Sequence, residues 1–515
     1  MNGAQSLIRT LVDSGVEVCF ANPGTSEMHF VAALDDVPEM RGVLALFEGV
    51  VTGAADGYAR MAGKPAATLL HLGPGLANGG ANLHNARKAH TPIVNVIGDH
   101  ALPHKPLNAP LESDVETLAA WTEGWTRTTT DTARVGADAA EAVAAAAAGR
   151  IANLILPADV SWGEGGVVAD PAPIAAPLLV EDPVLAAAAD ALRSGESTAL
   201  LLGAAGCLER GLRAASRIAA ATGAKVLAEV FPARIQRGAG LPAVERLGYL
   251  AEQAQWQLTG VKHLLLAGMA APVSFFAYPG KASELTPEGC AVHTVATPAD
   301  DVADALERLA DLVAPGTEPV LAEPSRPALP TGELTLQNWV EVIGALLPEG
   351  AIISDEAQTS GLVLPAATAG APRHDVLTLT GGSIGQGLPV AVGAAVACPD
   401  RPVVCLQADG SAMYTISALW TMARENLDVT TVILNNRAYA ILRVELSRVG
   451  AESAGPVARS LLDIGTPDLD FVKLAEGMGV PASRATTAEE LAEQFRRALA
   501  EPGPHLIDAV IPPLM

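Results

Sequence analysis

Gln407–Leu442 reads QADGSAMYTISALWTMARENLDVTTVILNNRAYAIL, and the fold turns on this stretch. The apolar run Val403-Val404-Cys405-Leu406 predicts a buried strand that ends at Ala408-Asp409-Gly410-Ser411, a carboxylate followed by turn residues. A helix is expected over roughly Ile416 to Glu425, then a second strand from Val429 to Leu434 that stops at Asn435-Asn436. In a strand–helix–strand unit both turns fall at the carboxyl ends of parallel strands, where open α/β sheets bind ligands. Asp409 and Asn436, 27 positions apart, are therefore expected at one edge with oxygen donors only. A carboxylate, an amide oxygen and a backbone carbonyl suit Mg²⁺, which keeps further positions for water and phosphate. On its own Asp-Gly-Ser is a turn and Asn-Asn a loop; the spacing and setting give them chemistry.

Together these residues resemble the diphosphate–magnesium motif of thiamine diphosphate enzymes, Gly-Asp-Gly-Ser followed by a helix and Asn-Asn. The likeness continues through Tyr414-Thr415-Ile416-Ser417-Ala418-Leu419-Trp420 and is greatest to the benzoylformate decarboxylase branch. Ala408 departs from the pattern, standing where the family has its first Gly; a methyl group costs little there if φ is negative. The resemblance implies that Asp409, Asn436 and the carbonyl of Ala438 hold Mg²⁺. It also places Gly410, Ser411, Tyr414, Tyr439, Ala440 and Ile441 at the cofactor.

A chain of 515 residues exceeds one core and suggests about three domains. Half the residues are apolar and 17% charged, as in large α/β cores. A net charge of −24, from 33 basic and 57 acidic residues, argues against nucleic acid or an anionic membrane as partner. Cys19, Cys207, Cys290, Cys398 and Cys405 are scattered without metal-ligand spacing and read as free buried thiols in a reducing compartment. No basic n-region with an apolar h-region opens the sequence, and no apolar run reaches the length of a spanning helix, so a cytoplasmic location is expected.

Alternating helix and strand patterns fill the first 168 residues. Leu7–Val12 fits an opening helix and Val16–Phe20 a first strand, which ends at Asn22-Pro23-Gly24-Thr25-Ser26. Alone this is a turn that cradles an anion or reverses the chain. The family places an Asn-Pro-Gly-Ser turn against the cofactor, with Thr25 here at the Ser position. Glu48 opens an apolar helix of small residues; a carboxylate in such company is buried and suited to share a proton. The resemblance gives Glu48 the role of bonding N1′ of the aminopyrimidine and driving the imino tautomer that forms the C2 ylid. The strand Ala66–Leu70 ends at His71-Leu72-Gly73-Pro74-Gly75, with Asn78 beyond. A strand-end His is commonly structural, yet the branch carries a catalytic His here, so His71 is a candidate for proton transfer. His84, His90, His100 and His104 read as structural.

Proline-rich linkers, Gly166–Pro183 and Pro315–Pro330, separate a middle domain at 184–315 and a third at 331–515. Gly203-Ala204-Ala205-Gly206 after the strand Ala199–Gly203 hints at a Rossmann-like turn without the full GxGxxG or an acidic ribose ligand. Some relatives hold FAD in this domain; here FAD is not expected. In the third domain Ile352-Ile353-Ser354 leads into Asp355-Glu356-Ala357, and the turn with Gln358 and Thr359 resembles in position the one that helps bind diphosphate in the family. The family uses the carbonyl at Gly382 for the 4′-amino group and the side chain at Ile384 to bend the cofactor into a V. As the resemblance implies, Asp470-Phe471 through Gly477-Met478-Gly479-Val480 and a terminal strand at Leu506–Ile511 complete the domain.

The fold expected is α/β, with three doubly wound parallel-sheet domains: pyrimidine-binding, middle Rossmann-like and diphosphate-binding. The resemblance implies a site shared between two subunits, hence a homodimer or homotetramer. It also implies decarboxylation of a small 2-oxo acid through a C2 ylid and an enamine. Addition of the enamine to a second carbonyl, as in acetolactate synthase, is the alternative; a silent partner subunit is the third reading. Ile441 and Glu445 share one helix face. The resemblance places Ile441 at the substrate pocket, where the branch has a small residue; an Ile there would narrow the room for an aryl group, so small aliphatic 2-oxo acids are expected to outrun benzoylformate. Glu445 either enters the pocket or is a solvated helix charge. No second histidine stands near Val273-Ser274-Phe275-Phe276, where the branch supplies one.

Overall fold

The computed structural model describes residues 1–450 and 455–513. Three sheets carry the chain. The first orders its strands Arg41–Leu44, Val18–Ala21, Ala66–Leu70, Ile93–Asp99, Ile151–Pro157 and Trp125–Thr128, all parallel. Helices cover both faces, so strands such as Ile93–Asp99 are buried at every position, and the one polar side chain in mid-strand, Asn95, is bonded to Thr68 and Asn153 on the neighbouring strands. The opening helix spans Gly3–Asp13, capped by Asn2, whose side chain accepts from the Gln5 N–H.

The middle sheet runs Glu245–Arg246, Lys225–Ala228, Thr198–Leu202, His263–Ala267, Ala291–Ala296, again parallel. That is the 3-2-1-4-5 order of a nucleotide-binding fold, with its switch point between Thr198–Leu202 and His263–Ala267. An acidic residue does stand after the second of these strands: Glu229. Its carboxylate is turned onto the chain itself, toward the Ala204 N–H and Gly203, and burial pushes it up to about 7. The two turns at the switch point close on each other, since a Cβ on Gly203 would lie 2.6 Å from the Gly268 carbonyl oxygen.

The third sheet orders Ala482–Ala485, His505–Val510, Val429–Asn435, Val403–Ala408, Ile352–Glu356 and His374–Thr378 in parallel. One strand is added that the sequence does not announce. Ile235–Arg237, from the middle segment, pairs antiparallel with His374–Thr378 at the sheet edge. It covers an edge that would otherwise present unpaired backbone.

Two helices lock the first and third domains together. Glu48–Ala62 carries Gly49, Gly53 and Gly57 four apart on one face, and it packs on Gly387–Ala397. A Cβ on Gly57 would lie 2.2 Å from the Val390 oxygen, and one on Gly393 1.9 Å from the Ala54 oxygen. Only glycine allows backbones this close. The same helix ends in a buried ion pair, Arg60 with Asp56. Arg60 also donates to the carbonyls of Thr378 (2.8 Å) and Ala233 (3.2 Å), tying all three domains.

The cysteines are free, but two depart from the expected burial. Cys19, Cys207 and Cys405 lie inside strands or against them, whereas Cys290 and Cys398 are half-buried. Cys290 precedes an edge strand and Cys398 caps a helix, positions that face solvent on one side.

Candidate active site

The functional side chains gather at the carboxyl ends of two sheets. At the first, Val18–Ala21 ends in the turn Asn22-Pro23-Gly24, and Thr25–Glu27 forms one turn of 3-10 helix. Thr25 is exposed; the residue turned inward is Glu27, 2% exposed. Its carboxylate accepts from the Gly24 N–H (2.7 Å), from the Ser26 hydroxyl and from His71 Nδ1 (2.8 Å). A carboxylate has no proton to give, so Nδ1 carries the hydrogen and Nε2 is left for other partners. Glu27 is seated by Gly98, where a Cβ would lie 1.7 Å from its Oε1. Sequence reasoning passed over Glu27. Its one local signal is a capping pattern, an acidic residue three after Gly24, which says nothing of a histidine 44 positions on.

His71 ends the strand Ala66–Leu70 and precedes the helix Leu72–Lys88. From that helix Asn78 Nδ2 donates to Glu48 Oε2 at 3.0 Å, the one hydrogen bond to this carboxylate among the described residues. Glu48 begins its own helix and is 6% exposed. A Cβ on Gly75 would come within 3.2 Å of Glu48 Oε1, so the glycines after His71 leave that oxygen its space. A histidine–carboxylate pair thus stands beside a second, buried carboxylate.

At the third sheet Val403–Ala408 and Val429–Asn435 lie side by side, Ala408 in register with Leu434. Ala408 has φ −70°, so its methyl group is accommodated without strain. A helical turn, Asp409–Ala412, follows at once; the longer helix starts at Ala418 rather than Ile416 because two tight turns intervene. Asp409, 2% exposed, accepts from the N–H groups of Gly410 (2.8 Å) and Arg437 (2.6 Å). Burial nonetheless pushes its carboxyl up to about 6. Asn436 Oδ1 accepts from the Ala438 N–H at 3.0 Å. The strand-like pairing of Ala438 with Asp463 fixes this segment, through Tyr439 N–H to Leu462 and Ile464 N–H to Arg437. Tyr439 lies over Gly410, whose Cβ would meet its ring at 2.5 Å, with Tyr414 beside it and 55% exposed.

Each oxygen of Asp409 and Asn436 keeps a lone pair beyond these bonds. A desolvated carboxylate near an amide oxygen is a donor set that fits a hard divalent cation, which would in turn carry a diphosphate. No cluster of three or more His, Cys, Asp or Glu that could hold a metal occurs among the described residues.

The glycine-rich turn lies between the two edges. Gly382 has φ +76°, a left-handed conformation natural to glycine. The turn is gripped from the first domain. Asn85 donates to the Ser383 carbonyl (2.7 Å) and accepts its N–H (3.1 Å), His84 reaches the Gly381 carbonyl (3.1 Å), and Asn82 that of Gly385 (3.2 Å). From below it is held by Glu356, 1% exposed, which accepts from the N–H groups of Gly385 (2.7 Å) and Gly387 (2.5 Å) and from Gln407 (2.9 Å). Glu356 is a second residue missed in the sequence, because only the folded turn brings its partners together. Ile384 sits half-buried in the turn, and Gln358 and Thr359 begin the 3-10 helix at the end of Ile352–Glu356. No hydrogen bond, ion pair or ring contact among the described residues joins the Glu27–Glu48–His71 set to the Asp409–Asn436 set.

The comparisons bear on this arrangement directly. Residues 1–118 match the N-terminal and residues 358–509 the C-terminal thiamine pyrophosphate binding domain of thiamine pyrophosphate enzymes. The chain belongs to this family of thiamine diphosphate-dependent enzymes. Within it the chain is 64% identical, over the full length of both, to IlvX of Mycobacterium tuberculosis, provisionally named an acetolactate synthase large subunit. It is 30% identical to benzoylformate decarboxylase of Pseudomonas aeruginosa, across 96% of each chain. The fold superposes on the thiamine diphosphate-dependent 4-hydroxybenzoylformate decarboxylase of Rhodococcus jostii with a TM-score of 0.85. That match has 26% identity and covers 99% of each chain.

Proposed function

We propose that this enzyme decarboxylates a small 2-oxo acid, with thiamine diphosphate held through Mg²⁺. The observation that carries the reading is the His71–Glu27 pair beside buried Glu48, on a sheet edge separate from the oxygen-only edge of Asp409 and Asn436. Asp409, Asn436 and the Ala438 carbonyl would ligate the cation. Gly410, Ser411, Gln358 and Thr359 would face the diphosphate, and Gly382, Ile384, Tyr414, Tyr439, Ala440 and Ile441 the rest of the cofactor, with Asn22–Thr25 and Asn78 closing the site. When bound, the cofactor supplies a carbon nucleophile and an electron sink for the bond to CO₂. Glu48 would hold a proton at N1′ of the aminopyrimidine, with Asn78 fixing the carboxylate. His71 would move a proton at the carbonyl-derived oxygen or carbon through Nε2, with Glu27 stabilising its charged form.

The proposal takes residues 1–168, 184–315 and 331–515 as the three domains. It also takes the site as completed by a second copy of the chain, as the family resemblance implies. A homodimer or homotetramer and a cytoplasmic location belong to the same reading; among the described residues no helix is long and apolar enough to cross a membrane. FAD is not part of it, and the closed switch point at Gly203 and Gly268 supports that omission. The carboligase reading is favoured by one observation, the 64% identity to a protein bearing the acetolactate synthase name.

Calorimetry on Asp409→Ala tests the metal. Its thiamine diphosphate affinity should fall to that of the unaltered protein in excess EDTA, because the diphosphate then meets the chain without a bridging cation. Equal affinity in all three samples rules the assignment out.

A further inference from the structure

One buried carboxylate near the site has no part in the proton transfers above: Glu356, at the end of the strand Ile352–Glu356. Its Oε1 accepts from the Gly385 N–H (2.7 Å), and its Oε2 from the Gly387 N–H (2.5 Å) and from Gln407 Nε2 (2.9 Å). The two N–H groups lie where the helix Gly387–Ala397 begins, an end that favours negative charge. Glycine at 387 makes room for this contact, since a Cβ there would lie 2.2 Å from Gln407 Oε1 and 2.9 Å from Glu356 Oε2.

Both carboxylate oxygens face donors. A protonated carboxyl would set its O–H against an N–H, so this bonding calls for the ionised form. Burial raises the Glu356 carboxyl above its usual range, and the donors at Gly387, Gln407, Gly385 and Gln386 work against that rise. The network also reaches the oxygen-only edge. Gln407 lies in the strand Val403–Ala408, which runs directly into Asp409. The Gly385 carbonyl accepts from Thr415 Oγ1 (3.0 Å), just beyond Asp409–Ala412, and from Asn82 Nδ2 (3.2 Å). Gly385 is thus held at its N–H by Glu356 and at its carbonyl from both domains, so a tilt of the turn breaks one of these bonds.

The geometry points to Glu356 as a positioning residue: its carboxylate fixes the glycine-rich turn relative to the Asp409 segment, and so sets where Gly382 and Ile384 meet the cofactor. This rests on the thiamine diphosphate reading of the site and not on which 2-oxo acid is taken. Charge decides here over shape. Gln at this position has one oxygen for two N–H groups and turns an NH₂ on a donor. Asp is one methylene short but keeps two acceptor oxygens.

The test compares Glu356→Gln with Glu356→Asp. Amide hydrogen–deuterium exchange is followed by mass spectrometry over residues 381–388 of the cofactor-free protein, and C2–H exchange of bound thiamine diphosphate by NMR. Glu356→Gln should speed amide exchange in that segment and slow C2–H exchange by about 10²-fold, the loss that a misplacement of about 1 Å brings. Its affinity for thiamine diphosphate, carried by the Asp409–Asn436 edge, should hold. Glu356→Asp should stay closer to the unaltered protein in both measurements. The reverse order would make Glu356 a packing residue and overturn the inference. Both exchanges unmoved, or faster amide exchange with C2–H exchange unmoved, would overturn it as well. If the Gln variant does not fold, the Asp variant decides: its withdrawn carboxylate holds the two N–H groups less well, so both exchanges should shift, and unmoved values overturn the inference. No C2–H exchange in the unaltered protein refutes the proposed function instead, and amide exchange then decides the inference alone.

Discussion

Glu27 lies 2.8 Å from His71 Nδ1 and is itself pinned by the Gly24 N–H, so the imidazole is both oriented and charge-compensated. His71→Ala should lower kcat by about 10²–10⁴, the range for a positioned acid–base group. Glu27→Gln should cost less, because the amide keeps the contact without the charge. Steady-state rates from pH 5 to 9 check both. A loss below about threefold in His71→Ala would make the histidine structural. Glu48, His71, Asp409 and Asn436 were legible because each stands in a motif whose spacing survives in one dimension. Glu27 and Glu356 were not, since their partners, His71 and the N–H groups of Gly385 and Gly387, are gathered only by the strand ends.

The helix pair Glu48–Ala62 and Gly387–Ala397 is the element on which the positions of Glu48 and the glycine-rich turn depend. Gly393→Ala places a methyl group where the Ala54 oxygen and Tyr58 nitrogen stand, and overpacking of this kind costs about 1–3 kcal/mol. Thermal melts should show a lowered Tm with weaker cofactor affinity; an unchanged Tm would mean the contact yields freely. The strand His374–Thr378 carries a different sensitivity. His374 is 3% exposed, and burial, aided by the charge of Arg237, pushes it down to about 4 from 6.5. The unfolded chain therefore binds the proton first. Stability from this group is full above pH 6.5 and lost as pH falls toward 4, by roughly 3 kcal/mol. Urea unfolding between pH 7.5 and 4.5 should steepen accordingly, and His374→Gln should flatten that limb; parallel curves would refute it. The alternation of strands and helices was readable from apolar runs. The edge strand Ile235–Arg237 was not, because three residues leave no period and their pairing crosses from the middle segment to the third sheet.

Across the whole molecule, Glu48 and His71 lie at one sheet edge and Asp409 and Asn436 at another, and the matched thiamine pyrophosphate binding domains fill the outer parts of the chain. Pocket chemistry was the least legible level: Glu445 was open between pocket and solvent until the fold paired it with Arg448 and left its side chain 12% exposed. The central claim, a 2-oxo acid decarboxylase dependent on thiamine diphosphate and Mg²⁺, is tested most directly by NMR. The purified protein is incubated with both cofactors and a panel of 2-oxo acids, and CO₂, aldehyde and hydroxyketone are identified. The account predicts CO₂ with the matching aldehyde, abolished by EDTA and by omission of thiamine diphosphate. Hydroxyketone as the sole organic product would establish the carboligase reading instead. Saturated cofactor binding with no CO₂ from any acid would contradict the account.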